Sequence, residues 1–137
     1  MKKKYPDGKH KHQNAHRPHE TTGDKRKGYA LRGRIWIEGK NGTFLGYGRV
    51  VLLERIRQYG SISKASKSME MSYRAAWELV ESMNHQSETP LVVTATGGKG
   101  GGGARLTDAG EHAIQEFWRL HERFGEFLKE EAGGFKI

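Results

Sequence analysis

The segment from 60 to 77 constrains the fold of this chain most strongly. It reads GSISKASKSMEMSYRAAW, and two of its serines, Ser61 and Ser72, stand where a helix can begin. A serine at such a position accepts a hydrogen bond from a backbone N–H of the first helical turn. Two short helices joined by a tight turn have the spacing of a helix-turn-helix, whose second helix lies in the DNA major groove. The segment therefore predicts a helix-turn-helix.

A glycine-rich loop lies downstream of this segment, between two short β-like runs. Residues 91–95 read LVVTA, the loop at 96–105 reads TGGKGGGGAR, and 104–107 read ARLT. This order predicts a β-hairpin with a long flexible tip, as in the wing of a winged helix. The loop contains G-x-G-x-x-G, but no βαβ unit surrounds it and no helix follows directly, so the wing is the better interpretation.

The remaining pattern predicts an α+β fold. This is a winged helix-turn-helix with a three-helix core, a β-hairpin wing, an N-terminal β-hairpin and a long C-terminal helix. Helix caps, terminal glycines and apolar spacing predict helices over 48–59, 62–69, 73–85 and 108–131. Alternation predicts a strand over 31–38, which an Asn-Gly turn joins to a second strand at 43–45. In the first helix, Glu54 and Arg55 are assigned to a charged face.

Apolar residues at helical spacing predict the buried face of the third helix. They are Tyr73, Ala76, Trp77, Val80 and Met83, at i, i+3, i+4, i+7 and i+10. Tyr73 and Trp77 also have polar edges that could reach a phosphate. Of these two, Trp77 is assigned to the core.

The first turn of the third helix presents the side chains that would meet base edges. Arg74 can make a bidentate contact to guanine, and Ala75 can touch a thymine methyl. Lysines on the preceding helix and basic residues of the wing would contact phosphates, which position the protein without reading sequence. The predicted DNA-binding residues are Ser72, Tyr73, Arg74, Ala75, Lys64, Lys67, Lys99 and Arg105. For each charged side chain, the alternative is a solvated surface charge.

The positive charge of the chain is concentrated near its N-terminus. The net charge is +8 at pH 7, and residues 1–34 account for all of it, with eleven Lys and Arg against three acids. Residues 1–28 contain almost nothing apolar, which predicts a disordered basic tail ahead of a folded domain at 29–137. Four of the seven histidines lie in this tail: His10, His12, His16 and His19. A metal-binding tail and a solvated basic arm both fit this composition, and no metal site is predicted elsewhere.

The last helix, predicted over 108–131, is long for a domain of this size, roughly 36 Å at 1.5 Å per residue. Its apolar positions repeat in steps of three and four and are rich in aromatic residues. Packing within one chain is the alternative, but the aromatic surplus favours a contact between two copies. The predicted dimerisation residues are Phe117, Leu120, Phe124, Phe127 and Leu128.

The composition argues against several classes of function. Cysteine is absent, which excludes disulfides and thiolate metal sites. No apolar run approaches the roughly 20 residues that span a bilayer, and no N-terminal segment resembles a secretory signal, so a soluble cytoplasmic protein without membrane contact is expected. Neither a catalytic arrangement nor a metal-ligand cluster stands out in the folded part, so neither enzymatic activity nor a cofactor is predicted.

Three segments resemble the N-terminal winged helix-turn-helix of ModE-type molybdate-responsive transcription regulators, which is akin to that of LysR-type regulators. They are GSISKA at 60–65, MSYRAAW at 71–77 and TGGKGGGGARLT at 96–107. The resemblance covers about residues 30–130, and the glycine-lysine wing is its most specific part. It implies a dimer that binds a pseudo-palindromic operator. The DNA-contacting positions that it implies are Ser72, Tyr73, Arg74, Lys99 and Arg105.

The chain departs from the family pattern at both ends. Full-length members carry molybdate-binding domains after the winged helix, whereas this sequence stops at Ile137. That leaves no room for an oxyanion pocket of the family type, so molybdate binding is not expected in this chain. The basic, histidine-rich tail is also outside the family pattern.

Taken together, these features predict a homodimeric, sequence-specific transcription regulator that binds double-stranded DNA. The recognition helix at about 73–85 would lie in the major groove, with the wing at 96–105 on the backbone or minor groove. Two alternatives stay open. One is a charge-driven, non-specific or accessory DNA-binding protein, which the basic tail favours. The other is an interaction module for a separate sensor subunit.

Overall fold

Four helices and two small antiparallel hairpins make up the parts of the chain that the structure, a computed structural model, describes: residues 29–95 and 102–137. The elements in order are β1 Ile37–Gly39, β2 Gly42–Leu45, α1 Tyr47–Tyr59, α2 Ile62–Ser68, α3 Tyr73–Gln86, β3 Val92–Thr94, β4 Ala104–Leu106 and α4 Asp108–Gly134. Strand β1 pairs with β2, and β3 pairs with β4. The predicted α+β winged helix-turn-helix with a long last helix is confirmed.

The helices begin where the sequence predicts because their capping side chains are used. Ser61, Ser72 and Thr107 each accept a hydrogen bond from the backbone N–H three residues on, at 3.0–3.1 Å. At the end of α1, Gly60 adopts a left-handed conformation with φ 74°, which stops the helix. Helix α4 continues to Gly134, beyond its predicted end at 131.

Helix α1 lies at the centre of the domain and is buried on all sides over 50–56. Helices α2 and α4 and strand β4 all pack against it. Burial all round is the pattern of a core helix rather than of an amphipathic surface helix. The charged face predicted at Glu54 and Arg55 is therefore wrong, because both residues are buried.

Both of these buried charged side chains have hydrogen-bond partners. The Glu54 carboxylate accepts a hydrogen bond from the Trp118 indole of α4 at 2.9 Å. The Arg55 guanidinium donates to the backbone carbonyl and the hydroxyl of Ser68, at 3.0 and 2.8 Å. Since a buried charge is costly unless it is hydrogen-bonded, these contacts explain how α1 retains both residues while joining α4 and the end of α2.

The first hairpin is shorter than predicted. The strand expected over 31–38 is paired with β2 only from Ile37, because β2 has four residues and α1 begins soon after it. The register pairs Gly39 with Gly42 around the predicted turn. Gly42 has φ 103°, a backbone conformation that favours glycine.

The residues ahead of β1 run instead beside the C-terminal half of α4. Gly33 lies so close to the Phe124 ring that an added Cβ would be 2.7 Å from it. Further toward the N-terminus, the Tyr29 ring meets the Phe135 ring edge-on, with centroids 5.3 Å apart. This segment therefore packs against α4 rather than extending the hairpin.

The wing hairpin has the predicted strands. Val92 pairs with Leu106, and Val93 pairs with Arg105 on the neighbouring rung. The tip at 96–101, with Lys99, lies outside the described residues. So do residues 1–28, and with them the predicted tail and its four histidines.

Candidate nucleic-acid interface

A tight turn between α2 and α3 sets the orientation of the third helix. The backbone N–H groups of Met69 and Met71 both donate to the carbonyl of Ser66, at 3.1 and 3.0 Å. Between them, Glu70 has φ 58°, a left-handed conformation that is unusual outside glycine. Ala65 is fully buried where α2 meets its neighbours, as expected for a small residue at a close helix contact. The two helices and the turn thus form a helix-turn-helix.

Helix α3 buries one face and leaves the other open. Its buried side chains are Ala76, Val80 and Met83. The buried face predicted to include Tyr73 and Trp77 is wrong in part, because these residues are 54% and 42% exposed. At 3.6 residues per turn, Trp77 lies roughly a quarter turn around the helix from these buried side chains. Tyr73 is the first residue of the helix and lies at the exposed end of the stripe.

The predicted base-reading side chains stand at this open end of α3. The Arg74 side chain is 87% exposed, and its Nε lies 3.2 Å from a carboxylate oxygen of Glu78, one turn later. Exposed ion pairs of this kind are weak, so the guanidinium can exchange this partner for another. Ser72 is exposed, but its hydroxyl oxygen accepts the hydrogen bond that caps α3, and Ala75 is half-buried.

The predicted phosphate contacts lie on the surface around the helix-turn-helix. Lys64 and Lys67 are exposed on α2, and Arg105 is exposed on β4. The wing is joined to the start of the helix-turn-helix by a hydrogen bond from the Ala104 N–H to the Gly60 carbonyl, at 2.8 Å. These three cations are therefore available at the surface of one connected unit.

Polar contacts with other elements hold α3 in place. Arg49 of α1 is half-buried and donates to the Ser82 hydroxyl at 2.9 Å. Burial lowers the pKa of this guanidinium from its ordinary value. Near the end of α3, the side-chain amides of Asn84 and Gln86 each bond to the backbone of a different hairpin. No signal in the sequence marks these contacts, because the partners lie on other elements.

The predicted dimerisation residues of α4 divide into two groups. Phe117 and Leu128 are buried within the protomer, at 0% and 3% exposure, so they are not available as an exposed contact surface. Phe117 faces the core because α4 packs on α1 over its first half. Leu120 and Phe124 are half-buried, whereas Phe127 is 53% exposed. Other large apolar side chains are also exposed, although they were not among the predicted dimerisation residues: Tyr29, Leu31, Phe135 and Ile137.

Two kinds of feature were not found among the described residues: a cluster of metal ligands and a membrane-spanning helix. Within 29–95 and 102–137 there is no group of three or more His, Asp or Glu side chains placed to hold a metal ion. None of the helices described is long and apolar enough to cross a membrane.

The fold and the exposed face of α3 define the class of domain: a winged helix-turn-helix. Residues 48–111 match the model of the bacterial regulatory helix-turn-helix proteins of the lysR family. The chain is 38% identical over 108 residues to the molybdenum transport protein ModE of Azotobacter vinelandii, covering 74% of this chain and 40% of that protein. It therefore carries a ModE-type N-terminal helix-turn-helix domain.

Other relatives support the same assignment over a shorter stretch. The transcriptional regulator ModE of Yersinia pestis is 52% identical over 67 residues. The DNA-binding transcriptional dual regulator ModE of Escherichia coli (strain K12) is 51% identical over 67 residues. Both alignments cover 49% of this chain and 26% of the relative. The chain thus spans only about a quarter to two fifths of the length of these relatives.

Proposed function

We propose that this chain is a sequence-specific transcription regulator that binds double-stranded DNA through α3. The observation that carries the proposal is the exposed N-terminal half of α3, where Tyr73, Arg74 and Trp77 stand free of the core while the opposite face is buried. A helix held in this way can enter the major groove without losing its packing, because no core residue has to move.

Base contacts in this proposal come from the first turns of α3. Arg74 donates in a bidentate manner to the O6 and N7 atoms of a guanine, and Ala75 approaches a thymine methyl. Trp77 adds to this set, because its exposed ring lies one turn after Tyr73 and can contact thymine methyls or sugars. Ser72 and Tyr73 reach the neighbouring phosphates from the helix N-terminus.

Phosphate contacts surround this reading surface. Lys64 and Lys67 lie on α2, and Arg105 lies on the second strand of the wing. Lys99, in the glycine-rich tip, extends the same contact toward the minor groove. Residues 1–28 add a basic arm ahead of the domain, which supplies further non-specific attraction.

The active form in this proposal is a homodimer. Support comes from the exposed apolar side chains of Phe127, 53% exposed in the C-terminal half of α4, and of Ile137, 96% exposed beyond the end of the helix. Tyr29, whose ring meets that of Phe135, adds to these exposed side chains, and Leu31 is exposed as well. A second copy that covered this surface by a two-fold axis would pair two recognition helices with two half-sites of an operator.

The relatives' names also suggest where the targets lie. Because several relatives are named for molybdenum transport or as ModE regulators, we propose target genes connected with molybdenum handling, and a cytoplasmic, non-enzymatic role. Recognition of molybdate is not part of the proposal for this chain.

Selection of genomic DNA fragments on the purified chain, near physiological salt, tests this function. The expected result is enrichment of a two-fold-symmetric motif whose half-sites lie about one helical turn apart. Retention of fragments without a motif, lost steeply as salt is added, would instead support charge-driven binding. The same selection with Arg74→Ala is the control, since the variant should lose the base preference at one position of each half-site.

A further inference from the structure

The side-chain amide of Asn84, near the end of α3, makes three hydrogen bonds to the first strand of the wing. Its carbonyl oxygen accepts from the N–H groups of Leu91, at 2.8 Å, and Val92, at 3.1 Å. Its NH₂ group donates to the Val92 carbonyl at 2.9 Å. One side chain thus forms hydrogen bonds with the N–H and the carbonyl of Val92 and with the N–H of Leu91.

This arrangement gives β3 a second hydrogen-bonded edge. On one side, Val92 pairs with Leu106 of β4. On the other, the Asn84 amide presents a donor and an acceptor side by side, as a neighbouring strand would. Because asparagine has a short side chain with two rotatable bonds, the three bonds hold β3 at a set distance and angle from α3.

The connection has a direct bearing on DNA binding. Asn84 belongs to the helix that carries Arg74 at its other end. The strand that it holds carries Val93, which pairs with Arg105. A single side chain therefore links the base-reading helix to the strand pair that bears the phosphate-contacting arginine of the wing.

We propose that Asn84 is a positioning residue that sets the wing strands against α3, so that Arg105 meets the DNA backbone while α3 occupies the major groove. The inference rests on the proposed function, because it assigns a role within that DNA complex. Asn84 itself touches no DNA in this arrangement and acts through the wing.

The same helix end supplies a matched comparison. Two residues on, the Gln86 amide donates to the Thr43 carbonyl at 3.0 Å and accepts from the Asn41 N–H at 3.3 Å. Gln86 therefore holds the first hairpin by the same chemistry with which Asn84 holds the wing. If the wing contacts DNA and the first hairpin does not, replacing Asn84 weakens DNA binding and replacing Gln86 does not, although both amides stabilise the fold.

The test uses the full chain and the motif found by genomic selection. Affinity as a function of salt and hydroxyl-radical footprints are measured for the wild-type protein, Asn84→Ala and Gln86→Ala. For Asn84→Ala we expect about tenfold weaker binding, loss of protection at the sugars flanking each half-site, and a salt slope lower by about one to two, since each lost phosphate contact removes about 0.9. Protection within the half-site and base preference stay unchanged. Gln86→Ala keeps the wild-type footprint and slope.

A double-mutant cycle with Arg105→Ala separates positioning from general stability. If Asn84 acts through the wing, Asn84→Ala has much less effect on affinity when Arg105 is already absent. Additive losses, or a flanking footprint unchanged by Asn84→Ala, overturn the inference. If Asn84→Ala does not fold, Asn84→Asp is measured by the same cycle, because it keeps the acceptor for Leu91 and Val92. If the wild-type chain selects no motif, the proposed function is wrong, and the role of Asn84 that rests on it is wrong as well.

Discussion

At the scale of single residues, the turn of the helix-turn-helix contains an unfavourable backbone conformation. Glu70 has φ 58° between two helices, where its Cβ approaches the following carbonyl. The neighbouring backbone bonds to Ser66 and Lys67 hold it there. The sequence alone does not reveal this position, because many non-glycine residues occupy turns with negative φ.

Replacing this residue by glycine is expected to stabilise the domain. Glu70→Gly removes the steric cost of the left-handed conformation, but glycine also makes the unfolded chain more flexible, which opposes folding. The expected net gain in the free energy of unfolding is about 0.5–1 kcal/mol. Thermal unfolding measures it as a rise of a few degrees in Tm. The control is Glu81→Gly, an exposed position within α3, which should cost about 1 kcal/mol. Equal losses from both substitutions would contradict the argument.

Arg74 is expected to read one base rather than to attract DNA in general. Arg74→Ala should cost about 1–3 kcal/mol at one base position and leave the preference at other positions intact. Competition binding with operators changed one base at a time measures this. Arg119→Ala is the matched control, since Arg119 pairs with Glu116 at 2.9 Å within α4 and carries the same charge. A uniform loss across all operators would assign Arg74 to the phosphates instead.

At the scale of the elements, the helix starts and the wing strands were predictable, whereas the extent of the first strand was not. The caps Ser61, Ser72 and Thr107 act on backbone groups three residues away, so a local pattern is enough to locate a helix start. The predicted strand over 31–38 fails because pairing depends on the length of β2, which is set elsewhere. The same reasoning explains Glu54, whose burial comes from the packing of α4 on α1 and not from its neighbours in sequence.

The buried Glu54 predicts a specific dependence of stability on pH. Burial raises the pKa of this carboxyl above its usual value, with the Trp118 hydrogen bond and the Arg55 charge opposing the shift and Glu111 adding to it. Because the pKa is higher in the folded state, the fold binds the proton more strongly than the unfolded chain does. Protonated Glu54 therefore makes its full contribution to the free energy of unfolding below the ordinary pKa of a glutamic acid. This contribution declines as the pH rises through the higher pKa of the folded state.

Glu54→Gln should remove this decline. The amide oxygen still accepts from the Trp118 indole and carries no charge, so Tm at pH 7 is expected to exceed that of the wild type. The advantage should shrink toward pH 4, where the wild-type carboxyl is protonated. Glu116→Gln is the control, because the hydrogen bond from Arg119 lowers the pKa of Glu116 and no such advantage is expected. An advantage independent of pH would mean that charge is not its cause.

At the scale of the whole molecule, charge and apolar surface are separated along the chain. Residues 1–34 account for the whole net charge of +8, whereas three large exposed apolar side chains lie in the C-terminal half of α4 or directly after it: Phe127, Phe135 and Ile137. The first feature draws the molecule to DNA in general. The second is suited to a second copy, which would place two recognition helices on one operator.

Phe127 provides the test of this assembly. Phe127→Ser should weaken a dimer strongly while changing the stability of the protomer little, because this ring is 53% exposed. Sedimentation equilibrium and thermal unfolding measure the two effects separately. Phe117→Ala is the contrasting variant: that ring is fully buried, and its loss should cost about 3–5 kcal/mol of folding free energy. A wild-type chain that sediments as a monomer, or a Phe127→Ser chain that stays dimeric, would contradict the assembly proposed here.

The sequence by itself determined the features that depend on local spacing: the helix-turn-helix, the wing strands, and the position of Arg74 in the first turn of α3. Only the tertiary structure decided which faces were covered. Trp77 came to the surface and Phe117 to the core although both fit an apolar stripe, because burial depends on the element packed against each face. The link from Asn84 to the wing has the same origin. Its hydrogen bonds join groups that the fold alone brings together.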